Sequence, residues 1–347
     1  MEVPRHPWRR YFARLLDISL YGLPFLAVEL LWFHIPIKTF DRWWFQLLNS
    51  YLAYGVMLLA EPFLLHFWAT TPGKAVFGIT VRDAQGEKLS LHWARRRTFE
   101  VFAYGMGCGV PWYSLWKEYQ ALKAAREGDR LEWEFGAEGK PERLEVPSGL
   151  SSWLAYGFLQ LATLALTVVL VLLSLLPPHR GEGLTMAEFA DNYNFYVRRF
   201  SRETYLMDSG GGLTDNPEFH ARELWNDPDG ALRWSPIYEG EELTGYRYVL
   251  DTDTAYYRLD PAYQFYGTWA FFGSLPETSC FDLIPWQWEA LLEEQALNFD
   301  FSYRGLRLTR RAEARGFGES WDNTAGLLVA PQGEKGHIYL EFTVTKE

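Results

Sequence analysis

One uninterrupted apolar segment limits the possible folds of this chain more than any other feature. Residues 150–176, LSSWLAYGFLQLATLALTVVLVLLSLL, contain no charged side chain, and Pro177 and Pro178 follow directly. A helix needs about 20 apolar residues to cross the hydrocarbon core of a bilayer. The sequence therefore predicts a transmembrane helix here, and with it an integral membrane protein.

Three further apolar runs precede this segment. Residues 15–33 follow a basic tail, and because the run is long and no small-residue cleavage site follows it, we interpret it as a retained first transmembrane helix. Residues 44–68 form a second, with tryptophans near both ends, as is typical of membrane interfaces. Residues 98–116 are interrupted by glycines and Pro111, so this segment either crosses once or enters and returns as a broken hairpin.

Lys and Arg residues predict the orientation, because positively charged loops stay in the cytoplasm. Four lie in the tail up to residue 14, six in residues 69–97, six in residues 117–149, and one in the twenty residues after 176. This places the N-terminus in the cytoplasm and the C-terminal part outside the cell membrane, provided that residues 98–116 return to the side they came from. The alternative is four full crossings with a cytoplasmic C-terminal part.

The composition changes after the last apolar run. Residues 1–178 hold 18 Lys and Arg against 16 Asp and Glu, whereas residues 179–347 hold 15 against 28. The acidic second part excludes nucleic acid as a partner, since phosphate binding needs clustered Lys and Arg. A capping box at Thr185 predicts a helix to about Arg199, a second helix is predicted at 285–297, and alternating residues at 299–303 and 338–344 predict strands.

The predicted fold is therefore an α-helical membrane domain followed by a soluble α+β domain. The membrane domain has three transmembrane helices plus the broken hairpin, which either crosses or re-enters. Its boundaries are 1–149 for the first part, 150–176 for the final helix, 177–183 for a linker and 184–347 for the soluble domain. We expect no enzyme activity, no cofactor and no metal, because the sequence contains no HExxH, GxSxG or dinucleotide fingerprint and no zinc-type spacing.

Three stretches together resemble the RDD family of bacterial membrane proteins, over about residues 8–135. The first is RRYFARLLD, from Arg9 to Asp17; the second has Glu61-Pro62, then TPGK and Gly78-Ile79-x-Val81; the third is Arg95-Arg96-Arg97. Where many members carry Trp-Asp or His-Asp, this chain has Trp133-Glu134. The C-terminal domain is not covered. The resemblance implies a multi-pass membrane protein, and for some members a transport activity.

Glu61 is the strongest candidate for function. It lies well inside the second apolar run, where a carboxylate costs at least about 2.5 kcal/mol unless it is protonated, paired or hydrated. Pro62 leaves a carbonyl one turn back without its helical donor, so the two groups could coordinate a cation. A structural hydrogen-bonding role is the equal alternative.

Asp17 and Arg14 are three residues apart and therefore share one face of the first helix. Their simplest interpretation is an ion pair at the inner interface, and the functional alternative is a proton or cation site. Thr71, Pro72, Gly73 and Lys74 do not fit a phosphate-binding loop, because Trp68 and Ala75 stand where that loop needs Gly and Ser or Thr. We interpret these four residues as a cytoplasmic turn with Lys74 at the lipid headgroups, and Arg95, Arg96 and Arg97 as an inner-surface anchor.

These residues predict a transport-related protein in which Glu61 and Asp17 handle a cation or a proton. So few helices imply a homo-oligomer or a membrane partner besides the lipid bilayer. The competing hypothesis is a non-transporting anchor whose outer α+β domain binds an envelope component or a partner protein.

Overall fold

The computed structural model describes residues 7–83, 85–127, 131, 150–200, 205–214, 232–258, 262–284, 298–318 and 327–347. The chain divides into two compact units. Unit 1 contains residues 1–33 and 39–170, and unit 2 contains residues 34–38 and 171–347. The predicted helix at 285–297 and the Trp133-Glu134 pair lie outside the described residues.

The described part of unit 1 is mainly helical, with a turn that is closed by an antiparallel bridge between Arg82 and Lys88. Its helices are α1 (Pro7–Leu31), α2 (Trp43–Trp68), α3 (Pro72–Val76), α4 (Leu91–Glu100), α5 (Tyr113–Glu127) and α6 (Leu150–Leu173), the last of which ends just inside unit 2. Helices α2 and α6 are long and apolar enough to cross a membrane. Helix α1 has the length, at 25 residues, but is not among these candidate spans, so a third span stays a prediction.

The segment between α4 and α5 is broken at its glycines, as the sequence predicted. Helix α4 continues into a π-helical turn, Val101–Gly105, after which Gly107, Cys108, Gly109 and Trp112 all have positive φ. The ten residues of α4 and the five of the π turn span roughly 22 Å at 1.5 Å per residue, which is short of the ~30 Å hydrocarbon core. The side chain of Ser114, at the start of α5, then donates to the carbonyl of Met106.

Unit 2 is built on a five-stranded antiparallel sheet. The strand order is β3-β4-β9-β7-β6, and two small pairs, β1-β2 and β5-β8, lie outside it. The strands are β1 (Leu206–Met207), β2 (Leu213–Thr214), β3 (Arg233–Glu239), β4 (Glu242–Thr254), β5 (Tyr256–Arg258), β6 (Phe299–Tyr303), β7 (Leu306–Arg315), β8 (Leu327–Val329) and β9 (Gly336–Lys346). The predicted strands at 299–303 and 338–344 correspond to β6 and to the centre of β9.

Two helices, α7 (Met186–Phe200) and α8 (Ala262–Phe272), supply much of the core of unit 2. The capping box at the start of α7 is confirmed, since the Thr185 amide donates to Glu188 at 2.8 Å and the Glu188 amide donates to the Thr185 hydroxyl. Helix α8 was not predicted, because ten of its eleven residues are buried and it therefore has no polar face from which a helical period could be recognised.

Residues 34–38, which connect α1 to α2 in the sequence, belong to unit 2. The buried Arg199 guanidinium donates to the Ile35 carbonyl and to the Ser174 hydroxyl. The His34 ring lies edge-on to Phe195 at 5.2 Å between centroids, and Ile37 packs against the main hydrophobic core. The connection is therefore an integral part of the C-terminal unit.

Candidate functional site

The interior of α2 carries a carboxylate that is held between two cations. Glu61 is fully buried, and its Oε1 accepts a hydrogen bond from Lys74 Nζ at 2.6 Å. Arg14 binds the same carboxylate through both terminal nitrogens, one of them to Oε1 at 3.1 Å and the other to Oε2. We call Arg14, Glu61 and Lys74 the buried charge cluster. It satisfies the requirement that an intramembrane carboxylate be paired.

Asp17 fixes the turn after α2 to the first helix. Its Oδ2 accepts a hydrogen bond from the Thr71 hydroxyl at 2.6 Å, and its Oδ1 accepts one from the Gly73 amide at 2.7 Å. Asp17 is fully buried. The predicted ion pair between Asp17 and Arg14 is therefore wrong, because Arg14 binds Glu61 and Asp17 binds the turn. The turn folds back onto α1, where its Thr71 hydroxyl and Gly73 amide bind Asp17, and its Lys74 joins Arg14 at Glu61.

The TPGK segment forms this turn by ordinary helix-capping chemistry. Helix α2 is followed by its C-cap Ala69, which adopts the left-handed conformation, and Thr71 then caps α3 with Pro72 in its first turn. A Cβ at position 73 would overlap the Ala13 carbonyl and lie 2.9 Å from Asp17 Oδ1, so this position requires glycine. The chain leaves α3 through Gly78, whose φ is +65°, a value that suits glycine. These requirements explain the order of the residues in this segment.

The sequence predicted that Lys74 lies at the lipid headgroups, and that prediction is wrong. It is 7% exposed, and besides Glu61 its ammonium is 3.4 Å from the Thr71 hydroxyl. Burial lowers the pKa of Lys74 below its usual value and the nearby Arg14 adds to this shift, whereas the charge of Glu61 opposes it.

A cavity of about 370 Å³ adjoins the buried charge cluster. It lies between α1, the α3 turn, α4 with its π turn, and α5. Arg10, Arg14, Lys74 and Arg97 border it, and Glu118 is the acidic residue among its described lining residues. Burial raises the pKa of the Glu118 carboxyl. The remaining walls are largely apolar or aromatic.

The three consecutive arginines separate into two environments. Arg95 and Arg96 are exposed, with their guanidinium groups over the rings of Phe63 and Trp93, at 6.0 and 5.4 Å. Arg97 is half-buried and borders the cavity. The anchoring role thus remains a prediction for the first two, while Arg97 belongs to the wall of the cavity.

Sequence reasoning missed α5 as a wall of this cavity. Its contribution is an amphipathic stripe in which Leu115, Glu118, Tyr119 and Leu122 follow each other at helical spacing. That helical spacing could have indicated a helix with one face towards a cavity. The many charges in residues 117–149 were used only to predict that the segment is cytoplasmic. Among the described residues, no group of three His, Cys, Asp or Glu side chains could hold a metal ion.

Comparison with known proteins supports the interpretation of the first half of the chain. No curated protein and no solved structure matches the chain. Residues 4–180 match the RDD family. This match extends beyond the expected residues 8–135 and includes helix α6. The match covers half of the chain and includes all residues of the buried charge cluster as well as Asp17 and the TPGK turn, so this chain belongs to the RDD family.

Proposed function

We propose that this RDD family protein is a transport-related membrane module in which the buried charge cluster handles a proton. The observation that carries the proposal is the Glu61 carboxylate, fully buried inside an apolar helix yet bound to both Arg14 and Lys74. With the nearby buried Asp17, two cations face two carboxylates, and both carboxylates already have hydrogen-bond donors. The cluster therefore offers no spare anionic group to a metal cation, whereas Lys74 can release a proton.

Lys74 is the group best suited to exchange the proton. It borders the cavity, and burial lowers the pKa of its ammonium, whereas a guanidinium stays charged. When Lys74 is neutral, Glu61 keeps Arg14 as its partner, so the carboxylate is paired in both protonation states. Asp17 holds the turn that carries Lys74, and we assign it a positioning role.

We propose further that unit 2 is an extracytoplasmic accessory domain. Residues 34–38, which follow α1, pack within unit 2, so unit 2 lies on the side of the membrane where α1 ends. A cytoplasmic N-terminus and a crossing α1 then place unit 2 outside. Helices α2 and α6 complete an odd number of crossings, which agrees with a hairpin that returns. Four crossings would separate residues 34–38 from the rest of unit 2 by a bilayer.

Oligomerisation is part of the same proposal. None of the residues of α6 is buried within the described part of the chain. Of the two candidate spans, α6 has the higher mean hydropathy. Its surface is therefore available to lipid, to a second copy of the chain or to a membrane partner. A transport path built from so few helices needs one of the latter two.

Proton flux tests the role of the buried charge cluster. We expect purified protein in liposomes containing a pH-sensitive dye to conduct protons under an imposed membrane potential. The double variant Glu61→Gln with Lys74→Gln should reduce this flux to the background of protein-free liposomes. It keeps the net charge of the cluster, because one positive and one negative charge are removed together, but leaves no group in the cluster that can titrate near neutral pH.

The matched control for the flux experiment is Arg96→Gln with Glu100→Gln, which removes an opposite-charge pair on α4 with Arg96 exposed. This control should retain the wild-type flux. Retention of flux in the double variant of the buried cluster, at equal protein incorporation, would refute the proton-handling proposal and leave the membrane-anchor hypothesis in its place.

Cysteine labelling tests the position of unit 2. The chain has two cysteines, Cys108 and Cys280, and unit 2 contains the second. In the Cys108→Ser variant, we expect a membrane-impermeant maleimide to label Cys280 in right-side-out vesicles without permeabilisation. A Cys-free variant carrying Gln85→Cys, an exposed position between α3 and α4, should be labelled only in inverted or permeabilised vesicles.

A second reporter covers the case in which Cys280, which is only half-exposed, reacts slowly. Tyr238→Cys in the Cys-free background places the thiol at an exposed position of β3. Labelling of the unit 2 reporters only from the same side as Gln85→Cys would show that unit 2 is cytoplasmic, and the proposed topology would be wrong.

A further inference from the structure

A second buried carboxyl lies on the helix pair that holds the buried charge cluster, at the other end of α1. Glu29 is 8% exposed, and its Oε2 has no hydrogen-bond partner among the described residues. It follows Asp17 by twelve residues, which is about 18 Å along a helix at 1.5 Å per residue. Glu29 is therefore too remote for Arg14 or Lys74 to pair with it.

Asn49 of α2 is the side chain that meets this carboxyl. It lies within hydrogen-bonding reach of Glu29, and among the described residues no charged side chain contributes to the surroundings of Glu29. Asn49 follows Trp43, the first residue of α2, by six residues, or about 9 Å along the helix. A carboxylate at that depth in an apolar helix pair is costly unless it is protonated, paired or hydrated.

The two orphaned atoms of this pair are both hydrogen-bond acceptors. Besides Glu29 Oε2, the buried Asn49 Oδ1 has no donor among the described residues. An ionised carboxylate and an amide oxygen cannot satisfy each other, because neither carries a proton. One proton on Glu29 Oε2 removes both deficits, since the hydroxyl donates to Asn49 Oδ1 while the Asn49 amide group donates to the other carboxyl oxygen.

We propose that Glu29 and Asn49 form a second proton site of the membrane domain, in which Glu29 is protonated at neutral pH and exchanges its proton with water at the end of α1. Release of the proton to water leaves a carboxylate that keeps the Asn49 amide as its donor, and uptake restores the acid. The exchange role deepens the proposed function and rests on it: the buried charge cluster exchanges protons on the cytoplasmic side, and Glu29 does so on the outer side.

Infrared spectroscopy of the full chain tests the protonation of Glu29. The purified protein is measured at neutral pH in a maltoside detergent, which has no carbonyl band of its own. We expect the difference between wild type and Glu29→Gln to contain the carbonyl band of one carboxylic acid per chain. This band should shift in heavy water, because the proton exchanges. The variant should fold, since a glutamine can make both hydrogen bonds with Asn49.

A second variant tests the partner, and a third provides the control. Asn49→Leu removes the hydrogen bonds of the acid, so the carbonyl band of Glu29 should move to the higher frequency of an isolated carboxylic acid. This measurement decides the matter if Glu29→Gln fails to fold. The matched control is Glu87→Gln, at an exposed position in the turn between α3 and α4, whose difference spectrum should contain the bands of a carboxylate.

The outcomes can overturn each part of the proposal. Carboxylate bands in the Glu29→Gln difference spectrum would show that Glu29 is ionised, and an acid band that Asn49→Leu leaves in place would show that the pair does not exist. The exchange role is wrong if the band does not shift in heavy water, or if Glu29→Gln conducts protons in liposomes as well as Glu87→Gln does. Because the spectra record a bound proton at equilibrium, their failure is distinct from a failure of proton flux.

Discussion

Replacing Glu61 by Gln is expected to lower the free energy of unfolding by about 3–5 kcal/mol, the usual loss when one partner of a buried ion pair is removed. Glu61 is fully buried, and it is the carboxylate to which both Arg14 and Lys74 bind. A glutamine of nearly the same shape fills the space but leaves two cations facing each other without compensation. The loss can be measured by reversible unfolding of the purified protein in mixed detergent micelles.

The comparison that isolates the charge effect is the double variant Glu61→Gln with Lys74→Gln. It removes one of the uncompensated cations and should recover a large part of the lost stability. An exposed pair provides the comparison: Asp300→Asn breaks the contact of Asp300 with Arg307 on the surface of unit 2 and should lower the free energy of unfolding far less than Glu61→Gln does. Equal losses for Glu61→Gln and Asp300→Asn would contradict the assignment of the cluster as buried and coupled.

Gly73→Ala is expected to be the second most damaging change, with a loss of about 3 kcal/mol or more from overpacking. The added methyl group would overlap the backbone carbonyl of Ala13 and press on the Asp17 carboxylate. The Ala13 carbonyl belongs to the backbone, and the Asp17 carboxylate is held by two hydrogen bonds, so α3 must move away from α1. That movement withdraws the Gly73 amide and the Thr71 hydroxyl from Asp17 and displaces Lys74 from Glu61. Thermal unfolding of the variant measures the loss, and proton flux should fall with it.

Two other glycines give a matched control for this substitution. Gly22 in α1 and Gly55 in α2 have no atom within 4 Å of an added Cβ, and both lie inside helices. Alanine at either site should leave stability unchanged or raise it by about 0.5–1 kcal/mol, because alanine has the higher helix propensity. If Gly73→Ala behaved like Gly22→Ala or Gly55→Ala, the close approach of α3 to α1 would not exist in solution.

Much of the architecture could be predicted from the sequence because it depends on local patterns. The uncharged run at 150–176 and the apolar run at 44–68 correspond to α6 and α2, the capping box at Thr185 starts α7, and alternating residues mark β6 and β9. Helix α8 could not be predicted, since burial on all sides removes the contrast between faces on which a periodicity argument depends.

The candidate site was predicted as a set of residues but not as an arrangement. Arg14, Asp17, Glu61 and the TPGK segment could be singled out because charged groups in apolar helices and Pro-Gly turns are locally unusual. Their pairing was misassigned. Helical spacing alone favours Arg14 with Asp17, whereas in the structure each of them finds a closer-fitting partner from a segment more than forty positions away.

The sequence by itself determined that this is a helical membrane protein whose C-terminal domain contains β-strands, and which polar residues lie in its apolar part, because hydrophobicity and turn chemistry are properties of neighbouring residues. Only the tertiary structure decided that Lys74 leaves the surface to pair with Glu61, that Arg97 borders a cavity while Arg95 and Arg96 remain exposed, and that residues 34–38 pack within the C-terminal unit. Those outcomes depend on which distant groups compete for each buried charge, and that competition is settled only when the helices pack.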